Sequence, residues 1–275
     1  MTPAAHATAG RGRLQRLLVL AYGVFAFAAF VATFAYAIGF IGNIVVPRSI
    51  DAAPRSGFTF ALATNLGLLA LFVLQHSVMA RTGFKRWQAR WLPPVTERST
   101  YTLFSSLALI VLFVFWQPMG GVVWQLQSPF AGAALQALFA TGWLLVLLTL
   151  YLLGPLEMFG LRQCWDHFRG RAPAPARFVV HWPYRLVRHP WYLGWLLAFW
   201  ATPTMTAAHL VFALTTGAYV VIAIQFEERD LAAADPAYSA YRRRVPALLP
   251  RLLRRRAARP ATPAAPASFP PEESR

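Results

Sequence analysis

Tyr184-Arg-Leu-Val-Arg-His-Pro-Trp-Tyr-Leu-Gly194 holds two arginines, a histidine, three aromatic residues and a proline within eleven positions. A long polar stretch precedes it, and the apolar run Trp191–Trp200 begins inside it. That pattern marks the point where a basic loop re-enters a membrane. Polar groups are costly to hold at such a boundary and tend to be kept for function. The apolar run is too short to span by itself, since a bilayer core takes about 20 residues. Thr202-Pro203-Thr204 breaks it, and a longer apolar block runs from Ala207 to Phe226. The two blocks read as a helical hairpin turning at Pro203. A hairpin returns its ends to one depth, so Arg188-His189-Pro190 should face Glu227-Glu228.

Outside the hairpin the same reading repeats. The chain has 275 residues, of which 57% are hydrophobic and only 13% charged. A soluble domain carries about 25% charged residues. Apolar blocks run from about Leu14 to Val46, Phe58 to Met79, Thr100 to Trp116 and Ala131 to Leu153. Ser99 or Thr100 is placed to cap the third. These blocks predict an all-α fold: a polytopic membrane helix bundle of five to six transmembrane helices, with a C-terminal helical hairpin. The net charge of +16 comes from residues that flank the apolar blocks. Lipid headgroups are therefore the expected partner, and nucleic acid is not. No obligate protein partner is expected. Cys164 is the single cysteine and reads as a packing residue, which leaves neither a disulfide framework nor a thiolate metal site.

Lys and Arg counts in the short loops set the orientation. The N-terminal end carries Arg11, Arg13 and Arg16, and the successive loops carry two, five, none, six and none before the basic C-terminal segment. The alternation fits six helices with both termini on the inner side of a cytoplasmic membrane. The loops 81–98 and 157–189 lie on that side as well. The chain divides into a disordered basic terminus (1–13), a four-helix membrane region (14–156), a cofactor-binding core with the hairpin (157–250) and a disordered Pro/Ala-rich tail (251–275).

The inner face thus gathers Glu157–Arg177, Tyr184–Tyr192 and Glu227–Arg244. Tyr184, Trp191 and Tyr192 can stack on a flat ring. His189 can donate or accept a hydrogen bond. Glu227 or Glu228 can accept from hydroxyls or balance a cation, and aromatic faces favour a sulfonium. S-adenosylmethionine presents each of those groups.

Arg188-His189-Pro190-Trp191-Tyr192-Leu193-Gly194, the hairpin, Glu227-Glu228-Arg229-Asp230-Leu231 and the segment Tyr238–Pro250 follow in a fixed order. That order resembles the isoprenylcysteine carboxyl methyltransferase superfamily of integral membrane enzymes. The resemblance implies that S-adenosyl-L-methionine binds at Phe178, Val179, Tyr184, Arg188, His189, Pro190, Trp191, Tyr192, Glu227 and Glu228. Leu74–Arg81, Glu97–Tyr101, Phe159–Gln163 and Ala198–Thr206 extend the likeness over nearly the whole chain. They resemble the bacterial methanethiol S-methyltransferases, membrane enzymes that make dimethyl sulfide.

Two departures from the superfamily pattern bear on the substrate. Isoprenylcysteine enzymes place an arginine four residues before the first glutamate to meet a substrate carboxylate, and here that position is Ala223. The glycine usual two residues before the tyrosine is Trp182. An uncharged or thiolate substrate fits Ala223 better, which makes a small thiol the expected substrate. The catalytic candidates that could lower a thiol's pKa or take its proton are Arg162, Gln163, His76 and Arg244. Two other readings stand beside this one. The first is an isoprenylcysteine-type carboxyl methyltransferase. The second is a non-catalytic membrane accessory protein of the nitric-oxide-metabolism type, which shares the Arg-His-Pro plan. A transporter is weaker, since no acidic residue lies mid-helix and no repeat is visible.

Overall fold

The computed structural model describes residues 3–171, 182–234 and 236–250. Five helices are long and apolar enough to cross a membrane. They lie in α1 (Pro3–Gly42), α2 (Phe58–Met79), α4 (Glu97–Phe115, extended by a 3₁₀ turn at Pro94–Thr96), α5 (Pro129–Leu153) and α10 (Ala207–Ala234). The chain is a multi-pass integral membrane protein. Short helices α3 (Thr82–Gln88), α6 (Pro155–Met158), α7 (Leu161–Phe168), α8 (Pro183–Leu186) and α11 (Pro236–Arg244) fill the polar segments. α1 begins at Pro3. Thr96, not Ser99 or Thr100, precedes the regular helix α4; Ser99 and Thr100 lie buried within it.

The hairpin is α9 (Pro190–Trp200), β2 (Thr204–Thr206) and α10. Eleven residues of α9 rise only about 16 Å, whereas α10 climbs about 30 Å from Ala207 to Glu227. The extended residues 201–206 supply the missing height. β2 pairs antiparallel with β1 (Val122–Gln125) in the uncharged loop between α4 and α5, a small sheet in an otherwise helical molecule. The turn is fixed further by Asp51 of the α1–α2 loop. Its carboxylate accepts from Thr206 Oγ1, from Asn43 Nδ2 at 2.7 Å and from His209 Nδ1 at 3.0 Å. Burial alone would raise the Asp51 carboxyl, but the bond and charge of His209, with Thr206 and Asn43, outweigh it and hold it below its ordinary value. Three loops therefore meet at the end opposite the polar segments, so α9 carries the chain between the two ends despite its length.

α9 is held against α5 by small residues, as membrane helices lacking a hydrophobic drive require. A Cβ on Gly194 would stand 2.7 Å from Val146 and 2.8 Å from the Gly142 carbonyl. The glycine that ends the Arg-His-Pro stretch is thus a packing residue. Phe40, Phe113, Trp116, Phe199 and Phe212 form the aromatic centre of the core, joining α1, α4, α9 and α10. Buried Asn65 ties α2 to the end of α4, with Nδ2 donating to Gln117 O at 2.7 Å and Oδ1 accepting from Gln117 N at 2.9 Å.

Candidate functional site

The hairpin brings its ends together as its sequence requires, and the pairing is specific. Arg188 Nε and Nη2 donate to Glu228 Oε1 at 2.8 and 2.6 Å, and His189 Nε2 lies 3.0 Å from the same oxygen. A carboxylate only accepts, so His189 carries its proton on Nε2. Arg242 Nε reaches Glu228 Oε2 at 3.1 Å. All three of Arg188, His189 and Glu228 have side chains no more than 10% exposed. Main-chain bonds lock the segment as well: Arg188 N donates to Pro246 O at 2.8 Å, and His189 N to Ala247 O at 3.0 Å. The chain after α11 thus lies along the Arg-His pair, and Tyr241 Oη donates to Tyr184 O at 2.5 Å.

Glu228, and not Glu227, is therefore the glutamate that clamps Arg188 and His189. Glu227 is 45% exposed, and His189 Nδ1 lies 3.9 Å from its Oε2. Its charge is felt by Tyr184, Tyr192 and, more weakly, Tyr238. Burial, the Glu227 charge and the neighbouring Tyr241 push the Tyr184 phenol up to about 12. Burial and Glu228, opposed by Arg188, raise that of Tyr238. Tyr184 and Tyr238 therefore stay neutral phenols near the Glu227 carboxylate. This half-open box of one acid, three tyrosines and a histidine rests on a rigid ionic floor. Its groups could hold a methyl donor: the carboxylate can accept from an amine or hydroxyls, and aromatic faces favour a cation.

The phospholipid methyltransferase family profile matches residues 130–234, the stretch from α5 to the end of α10. The methanethiol S-methyltransferase of Crocosphaera subtropica is 47% identical, over 86% of this chain and 93% of its own. That of Mycobacterium tuberculosis is 48% identical over 86% and 98%. Methanethiol S-methyltransferase 2 of Bradyrhizobium diazoefficiens is 49% identical over 88% and 93%. The chain belongs to the methanethiol S-methyltransferase family. No solved structure matches it.

In this member of the methanethiol S-methyltransferase family the remaining candidates separate. Phe178 and Val179 lie outside the described residues. Pro190 is buried at the first position of α9. Trp191 packs edge-on to Trp195, 5.9 Å between centroids, and so joins the bundle's aromatic stack. Arg162 is paired with Asp166 at 3.0 Å along α7, and Gln163 Nε2 donates to Glu157 O at 3.0 Å. Both thus serve the α6–α7 corner. That corner rests on Gly160, whose φ of +89° and 2.5 Å approach to Ser99 N exclude a side chain. Arg244 is exposed at the end of α11. His76 alone sits inside the bundle. Its Nδ1 meets Ser105 Oγ at 3.2 Å, and its ring lies 4.9 Å from Tyr101 and 6.3 Å from Tyr219.

Arg242, Tyr238 and Tyr241 lie against the same cluster; the two tyrosines belonged to the recognised Tyr238–Pro250 segment but none of the three was among the candidate site residues. Their signal was the spacing of Tyr238 and Tyr241, three residues apart on one helical face.

Proposed function

We propose that the protein transfers a methyl group from S-adenosyl-L-methionine to methanethiol, giving dimethyl sulfide. The observation that carries this reading is the half-exposed Glu227 carboxylate beside Tyr184 and Tyr192, one helical turn from Ala223. A carboxylate-bearing substrate would need a cation at that turn, and an alanine supplies none. Relatives named methanethiol S-methyltransferase support the same substrate.

S-adenosylmethionine supplies an electrophilic sulfonium methyl when bound. Glu227 would hold its amine or ribose hydroxyls, and Tyr184, Tyr192 and Tyr238 would offer phenol donors and ring faces. Arg188, His189 and Glu228 fix the floor, so the box is preorganised and needs little rearrangement at the moment of reaction. Most of the rate then comes from orientation and exclusion of water. The inner membrane, with both termini and the box on the cytoplasmic side, is the location the arginine distribution supports. That face is where a nucleotide-derived methyl donor is available.

The test is direct. Membranes bearing the protein receive methanethiol and S-adenosylmethionine, and the headspace is assayed for dimethyl sulfide. Product well above an empty-vector control is expected. Absence of product, with methylation of a farnesylated cysteine instead, would replace the substrate assignment.

A further inference from the structure

We infer that the thiol is bound and deprotonated inside the helix bundle, between Ala223 and His76, with His76 Nε2 taking the proton. This rests on thiol methylation as proposed above. Tyr219, Ala223 and Glu227 recur every four residues and share one face of α10. The face runs from the box into the bundle. At its inner end Ser77 Oγ donates to Tyr219 Oη at 3.3 Å, and the Tyr219 ring stands edge-on to His76. Tyr192 bridges the two ends, lying near Glu227 as well as Tyr219 and Tyr101. Tyr219 and Glu227 stand two turns apart, about 12 Å along α10, with only the methyl of Ala223 on the turn between them. A small thiol fits over that alanine.

The second observation is the state of the His76 ring. Ser105 Oγ engages Nδ1 at 3.2 Å, and Gln75 Nε2 supports the same hydroxyl at 3.4 Å. Among the described residues no hydrogen-bond partner meets Nε2. A half-buried ring nitrogen ordinarily finds a partner. Phe72, Tyr101 and Tyr219 surround it and bring no charge. A free thiolate is costly in such surroundings, so the proton must leave as the sulfur attacks. The S–H proton passes to Nε2 while a sulfur lone pair forms the new S–CH3 bond. The methyl–sulfonium bond breaks, and its electron pair stays on the donor sulfur. One positive charge is lost at the sulfonium and one gained at the imidazole, so net charge is conserved; the imidazolium later releases its proton to water. An apolar cavity of about 270 Å³, bounded in part by Met79, Thr100 and Phe104, adjoins this cluster through the Gln75–Met79 contact. It offers an apolar thiol a lateral way in.

The experiment uses the full chain in nanodiscs. His76→Gln keeps the packing and the Ser105 contact but cannot accept the proton, and His76→Ala removes both. General-base loss costs about 10²–10⁴-fold, so each variant should lose at least about 100-fold in kcat/KM for methanethiol at pH 7. Labelled S-adenosylmethionine should bind within about twofold of wild type, as controls for folding. The residual rate should rise about tenfold per pH unit, because solution thiolate becomes the remaining nucleophile. Ala223→Leu should weaken dimethyl sulfide binding, read by calorimetry on the S-adenosylhomocysteine-loaded protein, by about tenfold. His76 variants with near-wild-type kcat/KM and an unchanged pH profile would overturn the inference while leaving thiol methylation in place. A wild-type protein that makes no dimethyl sulfide would overturn the methylation reading itself, and this inference with it.

Discussion

Replacing each of the two adjacent glutamates by alanine should separate scaffold from binding site. Glu228 is buried to 6% side-chain exposure and accepts from Arg188, His189 and Arg242. Glu228→Ala removes the acceptor of two Arg188 bonds and one His189 bond, and leaves a guanidinium that is only 10% exposed. Breaking a buried pair from one side costs about 3–5 kcal/mol. Arg188 keeps two carbonyl acceptors, Arg242 O and Val245 O, which places the expected loss near the lower bound, about 3 kcal/mol. The Arg242 contact is solvent-screened and adds little. At about 2–4 °C per kcal/mol for a chain of this size, the midpoint of unfolding in detergent should fall by about 6–12 °C. Glu227 is 45% exposed and holds no such cluster, so Glu227→Ala should leave the midpoint within about 2 °C. It should instead weaken S-adenosylmethionine binding by at least about tenfold, the equivalent of one charge-assisted hydrogen bond. Thermal scans and a radioligand binding assay on the two variants decide the matter. A destabilised Glu227→Ala, or a Glu228→Ala of wild-type stability, would refute the division.

Further outcomes follow from other contacts. Gly194→Ala drives a Cβ to within 2.7 Å of Val146 and 2.8 Å of the Gly142 carbonyl. It should cost about 1–3 kcal/mol, visible as a lowered unfolding midpoint. Asp51 has a depressed folded-state pKa, so its stabilisation is present above the unfolded value and lost as pH falls through the folded one. Asp51→Asn should therefore lower the midpoint at pH 7, with the gap from wild type closing below about pH 4. Cys164 is fully buried against Gly23, and burial pushes its thiol up. Cys164→Ala should keep methyl transfer within about twofold in the headspace assay, at a cost of about 1–2 kcal/mol in stability.

Much of the fold was legible because membrane spans are written in composition: a bilayer admits only long apolar helices, and loop charge alternates between faces. The short α9 and its return to Glu227-Glu228 were equally readable, from Pro203 and the length of the run. The β1–β2 pairing and the Asp51–His209 anchor were not, since each joins residues far apart in sequence whose local patterns carry no partner information.

The site divides in the same way. Sequence alone determined that Arg188, His189 and a glutamate of the 227–228 pair meet at one membrane face. Which glutamate clamps the pair and which stays exposed was decided by tertiary structure. Neighbouring helix residues point about 100° apart, so the choice is the rotation of α10 about its axis. That rotation is set by core packing around Phe212 and by the Asp51–His209 pin at the far end, some 28 Å away along the helix. The same rotation turns Tyr219 towards His76 and leaves Glu227 facing the tyrosines.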